Sequence, residues 1–406
     1  TVSSTYATGT TKRVFPDPAE AAALVRAINE ADTVTMFCGY GARDAREQVF
    51  ALAEKIKSPI GHSFRGKMFI AHDNPFDVGM SGLLGYGACY EASKEADLFI
   101  MVGTDFPYTE WLPHKNVAQI DIDGTHIGRR TKVAVPVVGD VASVIDNLLP
   151  HIEEKEDRSF LDRMLTRHAA LLEDVVSKYT TPARESRTPI HPEFAASVLD
   201  EVAADDAIIT VDTGMCNVWS SRYFTPNGRR AEHASYLHGT MANALPMAIG
   251  IQAANPDRQV ISWSGDGGLS MLLGELLTVK LHNLPIKTVV FNNSSLGMVK
   301  LEMIVEGFPD FQTDHEQVNF AAIAEGVGIK SFRVEDPSDL KQALVNALTH
   351  DGPALVDIVT DPDALSLPPD ISWDMLKGFT TASVKTVLDG GVGRMVNLAR
   401  RNIRQI

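Results

Sequence analysis

One segment of the chain places two oxygen-bearing side chains at a fixed separation across a strand, a helix and a second strand. Asp266 follows an apolar run at 259–264, and Asn293 comes 27 positions later, after an apolar run at 286–291. Parallel strands joined by a helix end on the same edge of a sheet, so the carboxylate and the amide oxygen are expected side by side. Both are hard donors that suit Mg²⁺, and helix N–H groups after Gly268 would suit a diphosphate. The segment therefore predicts a metal–diphosphate site within an α/β domain.

The two short motifs in this segment carry less weight separately than together. Gly-Asp-Gly and Asn-Asn both favour turns, so either one alone would be interpreted as an ordinary loop. Their spacing and their strand–helix–strand setting favour the site, and the glycines at 267 and 268 allow a ligand to approach the backbone closely.

Short apolar runs alternate with helical patterns along most of the chain, and they fall into two groups. The first group has apolar runs at 33–38, 97–102, 117–122 and 133–138. The second has them at 207–211, 259–264, 286–291, 330–334 and 354–359. Buried strands that alternate with helices are typical of parallel sheets. We therefore predict an α/β chain with two parallel-sheet, three-layer domains and a C-terminal amphipathic helix.

Prolines and shifts in composition suggest where these domains begin and end. The predicted segments are a linker at 1–13, a first domain at 14–150, a charged helical connector at 151–190, a second domain at 191–362 and a C-terminal segment at 363–406. A chain of 406 residues suits two domains of this size.

Composition excludes several other classes of protein. There are 37 Lys and Arg residues against 52 Asp and Glu, and the resulting net charge of −15 argues against general binding to nucleic acid. The three cysteines are far apart, which favours a reducing cytoplasm over a disulfide framework. No uncharged apolar run in the sequence approaches the roughly 18 residues of a membrane helix.

The C-terminal end departs from this acidic balance. Residues 390–406 contain four arginines, Arg394, Arg400, Arg401 and Arg404, and no acidic residue. At helical spacing most of the apolar residues form one stripe and the arginines lie off it, although Leu398 also lies off it. A basic amphipathic helix suits an anionic lipid surface, and a terminal helix packed on its own protein is the alternative.

Three motifs in the second group of elements together resemble one enzyme family. They are Gly-Asp-Gly with Asn-Asn, Asp212-Thr213-Gly214, and the run HGTMANA at 238–244. These motifs are similar to those of the thiamine diphosphate-dependent pyruvate oxidases and acetolactate synthases, and the likeness runs from about residue 14 to the C-terminus.

The resemblance implies cofactor roles for the second domain. Mg²⁺ would be bound by the side chains of Asp266 and Asn293 and by the carbonyl of Ser295. Thiamine diphosphate would be bound by Gly239, Thr240, Met241, Asp266, Gly267, Gly268, Asn293, Ser294, Ser295, Leu296, Gly297, Met298 and Val299. Met241 would be the apolar wedge that bends the cofactor, and without the family it would be interpreted as a helix-core residue. Met298 would lie near the path from thiamine to flavin, where close relatives have an aromatic residue.

The first domain carries an incomplete dinucleotide-binding pattern. The run FCGYGAR at 37–43 follows a strand and opens a helix, but Asp44 stands where a third glycine is expected. The same family resemblance implies an FAD-binding domain here. FAD would be bound by His62, Ser63, Phe64, Arg65, Gly85, Tyr86, Gly87, Ala88, Cys89, Gly103, Asp121 and Asp123. Arg65 suits a diphosphate and the aspartates suit ribose or adenine, whereas His62 alone would be interpreted as a loop histidine.

The resemblance also implies an activity and a missing part. Pyruvate would be decarboxylated and oxidised to acetate, with electrons passing through thiamine diphosphate and FAD to a membrane quinone. The family's catalytic glutamate belongs to a further domain, so this chain is expected to hold half of each active site and to turn over negligibly alone. The linker-like start without Met leads us to expect a fragment, and a further domain on a separate polypeptide is the alternative. The expected assembly is a homotetramer in the cytoplasm, docked peripherally on the inner face of the membrane.

Three other functions fit parts of the sequence. Acetolactate synthases share the folds but have no need of a basic tail, and pyruvate oxidases that use O₂ and phosphate are closer still. A non-catalytic module that binds flavin and docks on membranes is an alternative from a different class.

Overall fold

The computed structural model describes residues 13–176 and 188–365. These residues form two compact units: the first comprises 13–82 and 87–168, and the second comprises 83–86, 169–176 and 188–365. The sequence-predicted linker at 1–13, apart from its last residue, and the C-terminal segment from 366 onwards, including its four arginines, lie outside the described residues.

The first unit is built on a seven-stranded sheet of order β4-β3-β2-β1-β5-β6-β7. Its strands are β1 Val34–Cys38, β2 Ile60–His62, β3 Asp77–Met80, β4 Tyr86–Gly87, β5 Leu98–Val102, β6 Val117–Asp121 and β7 Val135–Val138. Its helices are α1 Pro18–Glu30, α2 Arg46–Ile56, α3 Lys67–Ile70, α4 Cys89–Glu95, α5 Val141–Leu148 and α6 Ser159–Val176. The pairs β1–β2, β1–β5, β2–β3, β5–β6 and β6–β7 are parallel.

Local sequence explains why these elements form where they do. Strands β1, β5 and β6 are buried along their whole length, which accounts for their almost continuous apolar sequence. Helix α1 begins after Asp17, whose carboxylate accepts a hydrogen bond from the Ala19 N–H, and Pro18 occupies the first turn. The helix then buries one face, with Leu24 and Ile28 inaccessible to solvent, against the sheet core.

The second unit is built on a six-stranded, entirely parallel sheet of order β12-β13-β11-β10-β8-β9. Its strands are β8 Ile208–Val211, β9 Ala231–Ala234, β10 Val260–Gly265, β11 Lys287–Asn292, β12 Lys330–Val334 and β13 Ala354–Val359. Its helices are α7 Pro192–Val202, α8 Met215–Tyr223, α9 Ala244–Ala254, α10 Asp266–Met271, α11 Glu275–Leu281, α12 Gly297–Val305, α13 Phe320–Gly326 and α14 Pro337–Leu348.

The predicted α/β class with two parallel-sheet domains is confirmed. The sequence patterns missed β2, β3, β4 and β9, which are strands of only two to four residues, such as Ala-Glu-His-Ala in β9. Across residues 13–176 and 188–365, the helices are too short or too polar to cross a membrane.

Candidate active site

The two halves of the predicted metal site meet at the carboxyl edge of the second sheet. Strands β10 and β11 are parallel neighbours, and Gly265 pairs with Phe291, so both strands end at the same level. Asp266 and Asn293 therefore leave the sheet side by side. The backbone N–H of Ser294 donates a 2.6 Å hydrogen bond to Asp266 Oδ2, which joins the Gly-Asp-Gly motif directly to the Asn-Asn motif.

Asp266 is a buried carboxylate surrounded by polar groups. Its side chain is almost inaccessible, and its Oδ1 accepts a 2.7 Å hydrogen bond from the Gly267 N–H. His315 Nε2 lies 3.6 Å from Asp266 Oδ2. Burial raises the pKa of Asp266 above its usual range, because a charged carboxylate loses hydration there. A bound cation would stabilise the charged carboxylate and so offset the lost hydration.

The donor set around Asp266 fits Mg²⁺ better than a transition metal. The described part of the chain contains no cluster of three or more His, Cys, Asp or Glu that could hold a metal ion. One carboxylate, the Asn293 amide oxygen and the Ser295 carbonyl are hard oxygen ligands, and Mg²⁺ usually completes such a set with phosphate oxygens and water. The residues present therefore fit a magnesium–diphosphate group.

The loop at 293–296 is tightly turned and held from a distant part of the chain. Asn293 Oδ1 accepts a 3.1 Å hydrogen bond from the Ser295 N–H, and Ser294 has a positive φ of 54°. The Ser295 hydroxyl donates a 2.8 Å hydrogen bond to Asp314 Oδ1. Sequence reasoning missed Asp314, because no local pattern links it to the Asn-Asn motif.

Close packing leaves little room for side chains at 267 and 268, and the constraint is tighter at 268. A Cβ on Gly267 would lie 2.8 Å from Leu296 Cδ2 and 3.3 Å from Met241 Cε. A Cβ on Gly268 would lie 2.4 Å from Asp212 Oδ2. Helix α10 is only six residues long, so the predicted phosphate-binding N–H groups belong to a short turn rather than to a long helix.

Asp212 is a second buried carboxylate behind these glycines. It is 1% exposed, and its Oδ1 accepts a 2.9 Å hydrogen bond from the Ala244 N–H at the start of α9. Burial raises the pKa of Asp212 to about 6. Asp212 therefore ties β8 to α9 while it fills the space that a side chain at 268 would need.

This carboxyl predicts a pH-dependent stability. The native Asp212 holds its proton to higher pH than the unfolded chain does, so its contribution to stability is lost as the pH rises through about 6. Between pH 5 and pH 7, we expect the unfolding free energy of wild type to fall by about 1 kcal/mol more than that of Asp212→Asn. Urea denaturation at both values tests this, with the exposed Asp257→Asn as control. Equal pH slopes for Asp212→Asn and wild type would contradict it.

One cavity connects most of the predicted thiamine-binding residues. Met241 lines it and lies in the turn before α9, so the helix-core interpretation of this residue is wrong. Met298, at the start of α12, also lines the cavity and packs beside Leu301 and Leu365. Gly239 has a positive φ of 60° and is exposed, as is Thr240. These two residues do not line the cavity, and neither do Asp266 and Ser294, which lie beside residues that do.

The cavity also contains residues that the sequence reasoning did not select. Thr360 and Asp361 line it at the carboxyl end of β13, and Asp361 is 2% exposed. The rule that identified Asp266 could have identified Asp361, because both are polar residues just beyond a buried parallel strand. Cys216 and Trp219 of α8 line its apolar side.

The first unit brings two of the predicted flavin segments together at its topological switch point. The Gly39 N–H donates to the Val102 carbonyl and the Gly41 N–H donates to the Gly103 carbonyl, both at 2.9 Å. Gly103 has a positive φ of 61°, and its Cβ position would lie 2.6 Å from Gly41 Cα. Strands β1 and β5 are parallel neighbours, and the next strand after β1 lies on one side of this pair while the next strand after β5 lies on the other. Open α/β sheets bind ligands at such a point.

The other predicted flavin residues lie at the ends of neighbouring elements. His62 and Asp121 end β2 and β6, Gly87 ends β4, and Ala88 and Cys89 begin α4. The Arg65 guanidinium stacks 3.9 Å from the centre of the exposed Tyr40 ring. Ser63, Phe64, Gly85, Tyr86 and Asp123 lie on the adjoining turns and strand.

The side chain of His62 is enclosed by protein. It is inaccessible to solvent, and its Nε2 lies 3.8 Å from Asp77 Oδ1. Burial lowers the pKa of His62 to about 3, so the ring is neutral at physiological pH. A ligand at this strand end would meet the backbone of His62 rather than its imidazole.

Each of the two units matches a domain of known proteins. Residues 212–358 match the C-terminal TPP-binding domain of thiamine pyrophosphate enzymes, and residues 21–148 match the central domain of the same enzymes. A putative thiamine pyrophosphate-containing protein of Bacillus subtilis is 35% identical over 374 residues, 92% of this chain and 64% of the relative.

Two further relatives carry more specific names. A probable acetolactate synthase large subunit of Methanocaldococcus jannaschii is 30% identical over 87% of this chain and 62% of its own length. A pyruvate oxidase of Lactiplantibacillus plantarum is 27% identical over 86% of this chain and 58% of its own length. The chain thus spans less than two thirds of the length of each of these curated relatives.

Proposed function

The chain belongs to the thiamine pyrophosphate-dependent enzyme family, and from that premise we propose that it serves oxidative decarboxylation of pyruvate to acetate and CO₂. In this proposal it is part of a pyruvate:quinone oxidoreductase, with thiamine diphosphate, Mg²⁺ and FAD as cofactors and a membrane quinone as acceptor. The observation that carries the proposal is the 2.6 Å hydrogen bond from the Ser294 N–H to Asp266, which assembles the metal–diphosphate motif beside a cavity lined by Met241.

The residues of the second unit have distinct tasks in this proposal. Asp266, Asn293 and the Ser295 carbonyl hold Mg²⁺, and the backbone at 267 and 268 accommodates the diphosphate because no side chain intervenes. Met241, which lines the cavity, would give the bound cofactor an apolar contact. Bound thiamine diphosphate supplies a carbon nucleophile and an electron sink for decarboxylation, which no side chain provides.

The first unit would hold FAD at the carboxyl edge of the neighbouring parallel strands β1 and β5. Close contact between Gly41 and Gly103 leaves backbone rather than side chains at the mouth of this edge. Arg65, stacked on Tyr40, is held where a diphosphate could pair with it. Bound FAD would supply a two-electron acceptor for the oxidation, which no side chain provides.

The names of the relatives leave the electron acceptor open. Acetolactate synthase would join two molecules of pyruvate without a net redox step, and an O₂- and phosphate-using oxidase would need no membrane. The basic stripe at 390–406, a feature of the sequence alone, favours a quinone in a membrane. A non-catalytic module that binds flavin and docks on membranes is the alternative outside the enzyme class.

The proposal is tested by quinone-coupled pyruvate oxidation. The curated relatives are longer, so the protein assayed should carry this chain together with the domain that supplies the catalytic glutamate. We expect pyruvate to reduce the flavin and a ubiquinone analogue, faster when anionic vesicles are present, and the 406-residue chain alone to turn over negligibly. Acetolactate formation without quinone reduction, or no flavin reduction by pyruvate, would defeat the proposal.

We also propose that the C-terminal segment docks on the cytoplasmic face of the membrane, and this is tested separately. Each arginine near an anionic surface contributes about 1 kcal/mol, so changing Arg394, Arg400, Arg401 and Arg404 to Gln should weaken vesicle binding by roughly 100- to 1,000-fold. Vesicle flotation of wild type, this variant and a chain lacking 384–406 measures it, with zwitterionic vesicles as control. Equal flotation of all three proteins would exclude docking by this segment.

We propose that the protein assembles as a tetramer, and light scattering can measure the mass of the assembly.

A further inference from the structure

The candidate metal loop at 293–296 is held by a second segment, residues 313–315, which we call the 313–315 strap. The Leu296 N–H donates to the Thr313 carbonyl at 2.8 Å, and the His315 N–H donates to the Ser294 carbonyl at 3.0 Å. Between these two bonds, Ser295 and Asp314 pair as an isolated antiparallel bridge. The strap therefore fixes the backbone on both sides of Ser295, whose carbonyl is a candidate Mg²⁺ ligand.

The Asp314 side chain reinforces this pairing. Its Oδ1 accepts a 2.8 Å hydrogen bond from the Ser295 hydroxyl and lies 3.3 Å from Lys300 Nζ. Lys300 is on α12, the helix that continues the metal loop, and only 1% of it is exposed. A second carboxylate, that of Asp363, is more distant at 3.9 Å.

A buried ammonium group needs a nearby negative charge, because it has lost its hydration. The Lys300 side chain is 2% exposed while that of Asp314 is 44% exposed, so the lysine draws a carboxylate that could otherwise face solvent. In this orientation Asp314 Oδ1 also accepts the hydrogen bond from the Ser295 hydroxyl. The charge pair thus orients the group that holds the metal loop.

We propose that Asp314, oriented by Lys300, is a positioning residue that sets the affinity of the loop at 293–296 for Mg²⁺ with thiamine diphosphate. This inference rests on the function proposed above, because it takes Mg²⁺ and thiamine diphosphate as the ligands. Asp314 acts through Ser295 and does not itself bind the metal. Groups that orient metal ligands typically change metal affinity by about 10- to 100-fold when they are removed.

The experiment is a calorimetric titration of Mg²⁺ into the 406-residue chain with saturating thiamine diphosphate. We expect Asp314→Asn to weaken Mg²⁺ binding by about 10-fold. Ser295→Ala, which removes only the hydroxyl and keeps the carbonyl, should weaken it similarly. Ser295→Ala removes the hydrogen bond through which Asp314 acts, whereas Asp314→Asn removes the charge that Lys300 orients. The double variant should therefore be little worse than Ser295→Ala alone. Asp363→Asn, the matched control on the other side of Lys300, should stay within about 2-fold of wild type.

The outcomes separate this inference from the proposed function. If wild type shows no Mg²⁺-dependent binding of thiamine diphosphate, the proposed function fails. If wild type binds but Ser295→Ala and Asp314→Asn stay within 2-fold of it, the positioning role is wrong. Equal losses in Asp314→Asn and Asp363→Asn would also overturn it, because the effect would then follow the charge of Lys300 rather than the contact with Ser295. Should Asp314→Asn fail to fold, Ser295→Ala decides the question.

Discussion

Replacing Asp266 by Asn will weaken Mg²⁺ binding to the chain by at least about 100-fold, measured with saturating thiamine diphosphate. Asp266 is the only carboxylate among the candidate ligands, and it is buried beside the Ser294 N–H. Removing one partner of a buried charge pair costs about 3 kcal/mol or more, which corresponds to roughly 100-fold in affinity.

The same substitution should change the stability of the metal-free chain only slightly. Burial raises the pKa of Asp266, so the charged carboxylate costs free energy when no cation is bound. An amide removes that cost but can accept only one of the two backbone hydrogen bonds that the carboxylate accepts. The two effects oppose each other, and the unfolding free energy without metal should change by no more than about 1 kcal/mol. The exposed Asp257→Asn serves as the control for a change of net charge. Retention of Mg²⁺ affinity within 3-fold in Asp266→Asn would show that the metal lies elsewhere.

Gly268→Ala will destabilise the second unit by about 1–3 kcal/mol. The new Cβ would lie 2.4 Å from Oδ2 and 2.9 Å from Cγ of Asp212. That carboxylate cannot move aside freely, because it accepts a hydrogen bond from the Ala244 N–H. Hydrogen exchange of the β8 and β10 peptides in increasing urea would report the stability of this unit separately from that of the first.

Gly274→Ala provides a matched control for this prediction. Gly274 precedes α11 at a φ of −59°, and its Cβ position has no atom within 4 Å. Alanine there loses less conformational freedom on folding than glycine, so the change should be neutral or stabilising by up to about 1 kcal/mol. If both substitutions changed stability alike, the close approach at 268 would not be the cause.

The main features of the fold and of the metal edge could be predicted from sequence because they follow from local patterns. Buried strands such as β10 and β11 are continuous apolar runs, and a polar residue just beyond such a strand must lie at the sheet edge. The spacing of Asp266 and Asn293 therefore predicts their contact. Strand β9 lacks such a run, since it is an edge strand with alternating burial.

Other features depend on contacts that no local pattern encodes. The 313–315 strap reaches the metal loop only after the chain has passed through α12 and an irregular segment, so Asp314 resembles any exposed loop aspartate in the sequence. His62 shows the opposite difficulty. Its neighbours predict a ligand-binding turn, but the imidazole turns inward towards Asp77. A motif indicates which residues lie near a ligand, whereas packing decides which atoms face it.

We propose that this chain alone holds the metal–diphosphate half of a thiamine site. Calorimetric titration of thiamine diphosphate into the 406-residue chain, with Mg²⁺ and then with EDTA, tests it most directly. We predict one site per chain with Mg²⁺, binding that is at least about 100-fold weaker with EDTA, and competition by inorganic diphosphate. Binding that is unaffected by EDTA, or no binding with Mg²⁺ present, would contradict the claim.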